Sequence, residues 1–212
     1  MVQKTVSKAL LKRLPGYLSY LKSLPADANA HISATALANA LGMGEVQVRK
    51  DLAAVSDGGR PKVGYLRAHL IDDIEQFLGY DNHTDAVLIG AGKLGQALCD
   101  YSGFSAYGLN ILAAFDVAPS GAATDSGKPM LPMDQLDSFC KSHKIRMGII
   151  TVPASQAQDV CQKLITSGIR AIWNFAPTHL EVPDHILVQN ENMATSLAVL
   201  SMHLQAQSKE KR

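Results

Sequence analysis

The first eighty residues place their apolar positions at helical intervals. Between residues 5 and 24 leucines recur at three- and four-residue steps, which predicts one amphipathic helix that Pro15 starts or kinks. Its apolar face would carry Leu10, Leu11, Leu14, Leu18, Leu21 and Leu24.

The segment HISATALANALGMGEVQVRKDLAAV predicts two further helices about a tight corner. Ser33 is placed to cap the first helix, which would run to Leu41. The second would run from Glu45 to about Val55, after the turn Gly-Met-Gly. Two helices joined in this way are typical of a helix-turn-helix.

The stretch SDGGRPKVGY follows these helices and predicts a small β wing, with the glycine pair at the hairpin tip. The next stretch, RAHLIDDIEQFLG, predicts a helix that ends at Gly79. Polar residues 80–84 read as a linker. We therefore expect a winged helix-turn-helix domain over residues 1–80.

From Asp85 onward the pattern changes to short apolar runs separated by helical stretches. The runs AVLI, ILAAF, MGIIT and AIWNF are each suited to a buried parallel strand. Their alternation with helices predicts an α/β fold class with a Rossmann-like, doubly wound parallel sheet. We assign this domain to residues 81–190, which leaves residues 191–212 as a C-terminal helix and tail.

A glycine loop follows the first of these strands. Gly90, Gly92 and Gly95 form G-x-G-x-x-G at the start of a predicted helix, and the intervening residues are Ala91, Lys93 and Leu94. Such a loop turns tightly, lets backbone amides approach a pyrophosphate and seats that group on a helix N-terminus. The loop therefore predicts a dinucleotide site; a Rossmann-like domain with an empty or different site is the alternative.

Asp116 lies about twenty residues after the loop, at the end of the strand ILAAFD. A carboxylate there accepts hydrogen bonds from an adenosine ribose and repels a 2′-phosphate, which favours NAD(H) over NADP(H).

Charge is unevenly distributed along the chain. Residues 1–67 hold ten Lys or Arg and four Asp or Glu, a net charge of +6, whereas the whole chain carries +1. The second helix of the predicted helix-turn-helix adds groups that contact DNA: Gln47 and Arg49 are suited to base edges, and Lys50 to phosphates. On the wing, Arg60 and Lys62 are candidates for phosphate or minor-groove contacts. A solvated basic surface is the alternative.

Other residues give weaker signals. Cys99, Cys140 and Cys161 are too few and too widely spaced for a disulfide framework, so we expect reduced thiols, and no cluster has metal-ligand spacing. His179 and His185 lie near a predicted strand end without an acid/base partner, and we propose no catalytic residue. The apolar runs are too short to cross a bilayer, which predicts a cytoplasmic protein.

Several short stretches occur in a fixed order along the chain: QVRKDL, VGY, GAGKLGQAL with DYSGF, AFDV, TVP and NFAP. In this order they resemble the Rex redox-sensing transcriptional repressors across nearly the whole chain. The resemblance implies a homodimer that binds double-stranded operator DNA and leaves it when NADH replaces NAD+. It also implies that the last helix, about residues 192–205, is exchanged between subunits and buries Met193, Leu197, Leu200 and Leu204.

The same resemblance assigns further site residues. Tyr65 belongs to the DNA-contacting wing. On the dinucleotide side it assigns Val117 beside Asp116, and Tyr101, the third member of the family's contact between the first helix and the last. The loops on the nicotinamide side would be Thr151, Val152, Pro153 and Asn174, Phe175, Ala176, Pro177.

Four places differ from the family pattern. Ser19 and Asn192 stand where the family carries an ion pair, Ala118 replaces a second acid, and the wing has Pro61 and Lys62 where Arg and Gly are expected. Two alternatives remain open, and these differences favour the second. One is a small NAD-dependent oxidoreductase with a helical accessory domain, and the other is a Rex-like DNA-binding protein with a weakened nucleotide response.

Overall fold

The computed structural model describes residues 7–25, 30–119, 121–191 and 193–210. The chain divides between Asn82 and His83 into two compact units, here called the helical unit and the sheet unit. The helical unit buries one apolar cluster, and the sheet unit buries two.

In the described part of the helical unit there are four helices and two very short strands. They are α1 (Lys8–Ser23), β1 (His31–Ile32), α2 (Ala34–Leu41), α3 (Glu45–Val55), β2 (Tyr65–Leu66) and α4 (Arg67–Leu78). Its core includes Leu10, Leu14, Leu18 and Leu21 of α1, as the leucine pattern predicted, whereas Leu11 of the same predicted face is exposed.

Pro15 lies inside α1, so it does not start this helix, which was one of the two roles predicted for it. The helix begins at Lys8, where the Ser7 hydroxyl accepts a hydrogen bond from the Leu10 amide at 3.2 Å. Proline removes one backbone donor from a helix, but Leu14 and Tyr17, both fully buried, anchor the helix on either side of it.

The helix-turn-helix prediction is confirmed. Ser33 caps α2 by accepting a hydrogen bond from the Ala36 amide at 3.0 Å, and α2 ends at Leu41. After the turn, α3 begins at Glu45 and ends at Val55, the bounds that the sequence predicted.

The wing forms, but its tip is not at the glycine pair. Arg60 and Gly64 bridge each other, so the turn consists of Pro61, Lys62 and Val63, and β2 then pairs antiparallel with β1. Lys62 adopts a left-handed φ of 65°, a conformation that glycine takes at no steric cost. Gly59 instead lies beneath the Tyr65 ring, where an added Cβ would come within 2.7 Å of the ring.

The described part of the sheet unit has six strands: β3 (Thr84–Ile89), β4 (Leu109–Asp116), β5 (Met130–Pro132), β6 (Met147–Ile150), β7 (Ala171–Asn174) and β8 (Leu187–Asn190). They form one parallel sheet in the order β5-β4-β3-β6-β7-β8. The helices of this unit are α5 (Lys93–Asp100), α6 (Leu136–Ser142), α7 (Ala154–Thr166) and α8 (Met193–Glu210), with short 3₁₀ turns at Ser102–Tyr107 and Met133–Gln135.

Both faces of the sheet are covered, as the continuous apolar runs predicted. Val87 and Ile89 pack into one cluster, while Ala86 and Leu88 pack into the other. The three cysteines are buried free thiols inside these clusters. The doubly wound α/β prediction is therefore confirmed.

The start of α5 lies against the end of β3 with no space for an extra carbon. A Cβ added at Gly95 would come within 2.0 Å of the Gly90 carbonyl oxygen and within 3.0 Å of the Thr151 hydroxyl. Gly90 itself has a φ of +101°, a region that L side chains rarely adopt. The glycine loop is thus fixed by backbone geometry before any ligand is considered.

This close approach predicts that Gly95→Ala destabilises the sheet unit by about 3 kcal/mol, since overpacking against backbone cannot be relieved by a rotamer change. Urea unfolding followed by the fluorescence of Trp173, the single tryptophan, measures this unit.

Gly92→Ala is the matched control, because a Cβ at Gly92 meets no atom of the described residues within 4 Å. It should change the stability by less than about 1 kcal/mol. Equal stabilities for the two variants would refute the close approach.

Candidate dinucleotide cleft and nucleic-acid surface

A cleft of about 360 Å³ opens at the carboxyl edge of the sheet, beside the ends of β3, β4 and β6. Parallel strands bring all their carboxyl ends to one edge, which is where doubly wound folds bind ligands. The lining residues are Ile89, Gly90, Gly92, Asp116, Val117, Met133, Thr151, Val152, Pro153, Gln156, Asp159, Val160 and Lys163.

The glycine loop forms one wall of this cleft and is tied to the loop that follows β6. The Thr151 hydroxyl lies 3.0 Å from the Ile89 carbonyl oxygen and 2.8 Å from that of Gly90, so it donates into the turn. Gly92 is exposed at the N-terminus of α5, with open space where its side chain would be. That combination leaves backbone amides of a helix N-terminus accessible to an anionic group.

Asp116 is held in place by two backbone amides. Its Oδ2 accepts a hydrogen bond from the Ala91 amide at 2.7 Å, and its Oδ1 accepts one from the Ala118 amide at 3.0 Å. Each carboxylate oxygen has a second lone-pair site. The carboxylate is therefore oriented at the cleft and retains capacity to accept hydrogen bonds from ligand hydroxyls.

Some of the predicted site residues lie outside the lining of this cleft. Lys93 and Leu94 are exposed on the first turn of α5, and Ala91, within the glycine loop, is buried. Tyr101 is 54% exposed and packs edge-on against Phe104, with 5.0 Å between ring centroids.

The loop at residues 174–177 also lies outside the lining, and Asn174 is fully buried. Its side-chain amide donates to the carbonyl oxygens of Ala176 and Thr178 and to Oδ1 of Asn190, at 3.2, 3.0 and 2.8 Å. Its own oxygen accepts from the Ala176 amide at 3.0 Å. Asn174 thus fixes the shape of this loop and its link to β8.

Sequence reasoning missed the side of the cleft that α7 provides. Gln156, Asp159, Val160 and Lys163 all line it. Their spacing of three, four and seven residues is one face of a helix that starts at the carboxyl edge, directly after Thr-Val-Pro. That signal was present in the sequence. Met133, which follows β5, had no such signal.

The predicted DNA-contacting residues all belong to the helical unit. Gln47, Arg49 and Lys50 are exposed on α3, and Arg49 forms an ion pair with Glu45 one turn earlier. Arg60 and Lys62 are exposed on the wing. A groove joins Arg49, Arg60, Lys62 and Tyr65 with the first residues of α2, whereas Gln47 and Lys50 lie outside it.

Tyr65 differs from the other predicted contacts because it is 9% exposed. It belongs to the core of the helical unit, and burial raises the pKa of its hydroxyl. Tyr65 therefore supports the wing, where its ring lies against Gly59, and it also lines the groove.

A charged cluster inside the helical unit joins α1 to α3. Asp51 is 4% exposed, and its Oδ2 accepts hydrogen bonds from Arg13 Nε at 2.6 Å and Tyr17 Oη at 2.7 Å. Its Oδ1 accepts from Arg13 Nη2 at 2.9 Å and Gln47 Nε2 at 2.7 Å. The carboxylate is therefore bound on all four of its lone-pair sites.

The protonation states in this cluster follow from its geometry. Burial acts to raise the pKa of Asp51, but hydrogen bonds from Arg13, Tyr17 and Gln47 and the charge of Arg13 outweigh it and lower that pKa. Burial, and then the hydrogen bond to Asp51, raise the pKa of Tyr17 to about 12. At neutral pH Asp51 is thus an ionised acceptor and Tyr17 a neutral donor.

Two further observations concern the described residues only. None of their helices is both long enough and apolar enough to span a bilayer. They also contain no group of three or more His, Cys, Asp or Glu side chains placed to hold a metal ion. His179 and His185 are both exposed.

Taken together, a winged helix-turn-helix unit with exposed cations and a Rossmann-like unit with a ligand cleft define a two-domain regulator fold. Two family models match the chain. Residues 5–53 match the family model described as putative DNA-binding protein N-terminus, and residues 81–178 match the one described as CoA binding domain.

Curated relatives match both units at once. The chain is 40% identical to the redox-sensing transcriptional repressor Rex of Porphyromonas gingivalis, covering 94% of this chain and 92% of the relative. It is 39% identical to that of Treponema denticola, covering 94% and 96%. The chain belongs to the Rex family of redox-sensing transcriptional repressors.

Solved structures agree over the whole length. A structure of RSP in complex with beta-NAD+ and operator DNA has a TM-score of 0.89 at 32% identity, covering 99% of this chain and 97% of that chain. A structure of RSP in complex with beta-NADH has a TM-score of 0.85 at 31% identity, covering 99% of both chains.

Proposed function

We propose that this chain is a transcriptional repressor that binds double-stranded operator DNA as a homodimer and is released when NADH replaces NAD+. The observation that carries the proposal is sequence identity of about 40% to Rex repressors across both units, helical and sheet. The proposed activity takes place where genomic DNA is held, which is the cytoplasm of a bacterial cell.

The helical unit supplies the features that DNA binding requires. Recognition helices contact base edges with the residues of their first turns, and α3 presents Gln47, Arg49 and Lys50 there. The wing adds Arg60 and Lys62 for phosphates. The RSP complex with operator DNA supports this assignment.

The cleft supplies the features that dinucleotide binding requires. The open position at Gly92 admits a pyrophosphate at the N-terminus of α5, and the Asp116 carboxylate suits the ribose hydroxyls of NAD(H). The RSP structures are complexes with NAD+ and NADH, whereas the family model that matches residues 81–178 is named for coenzyme A. We assign NAD(H), because a carboxylate at Asp116 is suited to ribose hydroxyls and repels a phosphate in their place.

In this proposal the dinucleotide is a signal and is not consumed, so the chain is not an enzyme. A ligand shifts a conformational equilibrium only through its different affinity for the two states. The neutral dihydronicotinamide of NADH enters an apolar, closed interface at lower cost than the cationic ring of NAD+. NADH would therefore favour the arrangement that does not bind DNA.

The last helix supports the homodimer. Leu197 and Leu200 of α8 are 65% and 61% exposed, and Val199 and Met202 are exposed beside them. An exposed apolar helix is stabilised by burial against a partner, and exchange between two subunits provides that burial. Asn192, which stands in place of the family's acid at the head of this helix, lies outside the described residues.

The proposal predicts that its two binding activities can be separated by single substitutions. Arg49→Ala should weaken operator binding at least several-fold while NADH binding is unchanged, because Arg49 lies on α3, far in sequence from the cleft. Gly92→Val should abolish NADH binding by filling the pyrophosphate position, while operator binding remains. Fluorescence anisotropy of labelled operator and calorimetric NADH titration measure the two activities.

Gly121→Ala and Lys22→Ala are suitable controls, since neither residue lies in the cleft or the groove. If Arg49→Ala binds operator like the parent protein, the recognition helix is misassigned. If Gly92→Val still binds NADH, the pyrophosphate position is misassigned. Steady turnover of nicotinamide by the parent protein would favour an oxidoreductase.

The exposed face of α8 gives a separate prediction. Leu197→Glu combined with Leu200→Glu should raise the dimer dissociation constant more than tenfold, since two charges would enter a buried apolar interface. Sedimentation velocity measures the change. Gln205→Glu, a charge added on the same helix away from these two leucines, should leave the dimer intact; dissociation in this control, or none in the double variant, would contradict the exchange.

A further inference from the structure

Gln47 differs from the other exposed side chains of α3, because the buried carboxylate of Asp51 fixes the nitrogen end of its amide. Its Nε2 donates a hydrogen bond to Asp51 Oδ1 at 2.7 Å, one helical turn along. Asp51 is in turn bound to Arg13 and Tyr17 of α1. The orientation of this exposed amide is therefore set by the core of the helical unit.

The chemistry of Asp51 decides which end of the amide faces it. An ionised carboxylate only accepts hydrogen bonds, so Gln47 must present its nitrogen, and rotation of the amide by half a turn would place two oxygens against each other. One of the two N–H groups of Gln47 is thus occupied. The side chain of Gln47, an exposed residue, retains one N–H donor and one carbonyl acceptor.

That remaining pair of groups matches one base edge. In the major groove adenine offers an N6–H donor beside an N7 acceptor, which is the pattern that one amide can read with two hydrogen bonds. Guanine offers two acceptors, O6 and N7, so a carbonyl oxygen that cannot rotate away would oppose O6. A freely rotating glutamine lacks this discrimination.

From this geometry we infer that Gln47 reads an adenine in each operator half-site, and that Asp51 is the positioning residue that gives Gln47 its preference for adenine over guanine. The inference rests on the proposed DNA-binding function. Gln47 is the third residue of α3, in the part of a recognition helix that reaches base edges.

The test begins with the full-length protein and a library of random-sequence DNA duplexes, from which the bound sequences are selected. Each adenine of the selected operator is then replaced by 7-deazaadenine, which removes the N7 acceptor but keeps the Watson–Crick pairing. One adenine per half-site should lose about five- to a hundredfold in affinity, the range for a bidentate base contact. In Gln47→Ala that same replacement should have no effect.

The role of Asp51 is tested by the ratio of affinities for adenine and guanine, which a loss of folded protein alone would not change. Asp51→Asn can accept or donate, so Gln47 can rotate, and the ratio of affinities for adenine and guanine at this position should fall towards one. Tyr17→Phe removes one of the four hydrogen bonds but keeps the carboxylate, and it should keep the ratio. Lys50→Ala should weaken binding to all sequences alike.

The outcomes separate the inference from the function on which it rests. If the parent protein selects no sequence, the proposed function fails. If it selects an operator, but no 7-deazaadenine position weakens binding, or the weakening persists in Gln47→Ala, the inference is wrong and the function stands. An adenine preference that persists in folded Asp51→Asn would refute the role of Asp51, and the deazaadenine comparison between the parent protein and Gln47→Ala decides the role of Gln47 whether or not Asp51→Asn folds by circular dichroism.

Discussion

The approach of α5 to the end of β3 is the constraint on which the cleft depends. Position 95 has no room for a single carbon, and Thr151 fastens the loop after β6 to the same turn through the carbonyl oxygens of Ile89 and Gly90. These contacts set the N-terminus of α5 at the carboxyl edge of the sheet. The Asp116 carboxylate is then held there by the amide of the same glycine loop. The cleft proposed to bind a dinucleotide therefore arises from backbone packing, and few side chains add ligand chemistry to it.

Features that depend on local spacing could be predicted from the sequence. The bounds of α2 and α3 follow from Ser33, the turn before Glu45 and the apolar spacing between them. The glycine loop and Asp116 follow from their positions at strand ends, because a parallel sheet brings those ends to one edge. The assignment to the Rex family is confirmed by relatives that match both units.

Features that depend on distant partners could not be predicted in the same way. The wing turns at Pro61, Lys62 and Val63, whereas Gly59 lies against the Tyr65 ring, a contact that composition does not reveal. The strands β5 and β8, three and four residues long, give little periodic signal. Asn174 is predicted as a binding residue, but the sequence gives no sign that its side-chain nitrogen is engaged within its own loop and by Asn190. The Asp51 cluster joins residues 38 positions apart.

The measurement that tests the central claim most directly is operator binding during separate titrations with NADH, NAD+ and coenzyme A, at fixed salt and protein concentration. The proposed function makes the dinucleotide a signal whose oxidation state changes the DNA-binding arrangement. It predicts that NADH releases the operator at concentrations where NAD+ leaves it bound, and that coenzyme A has no effect. Equal effects of NADH and NAD+, or no effect of either, would contradict it.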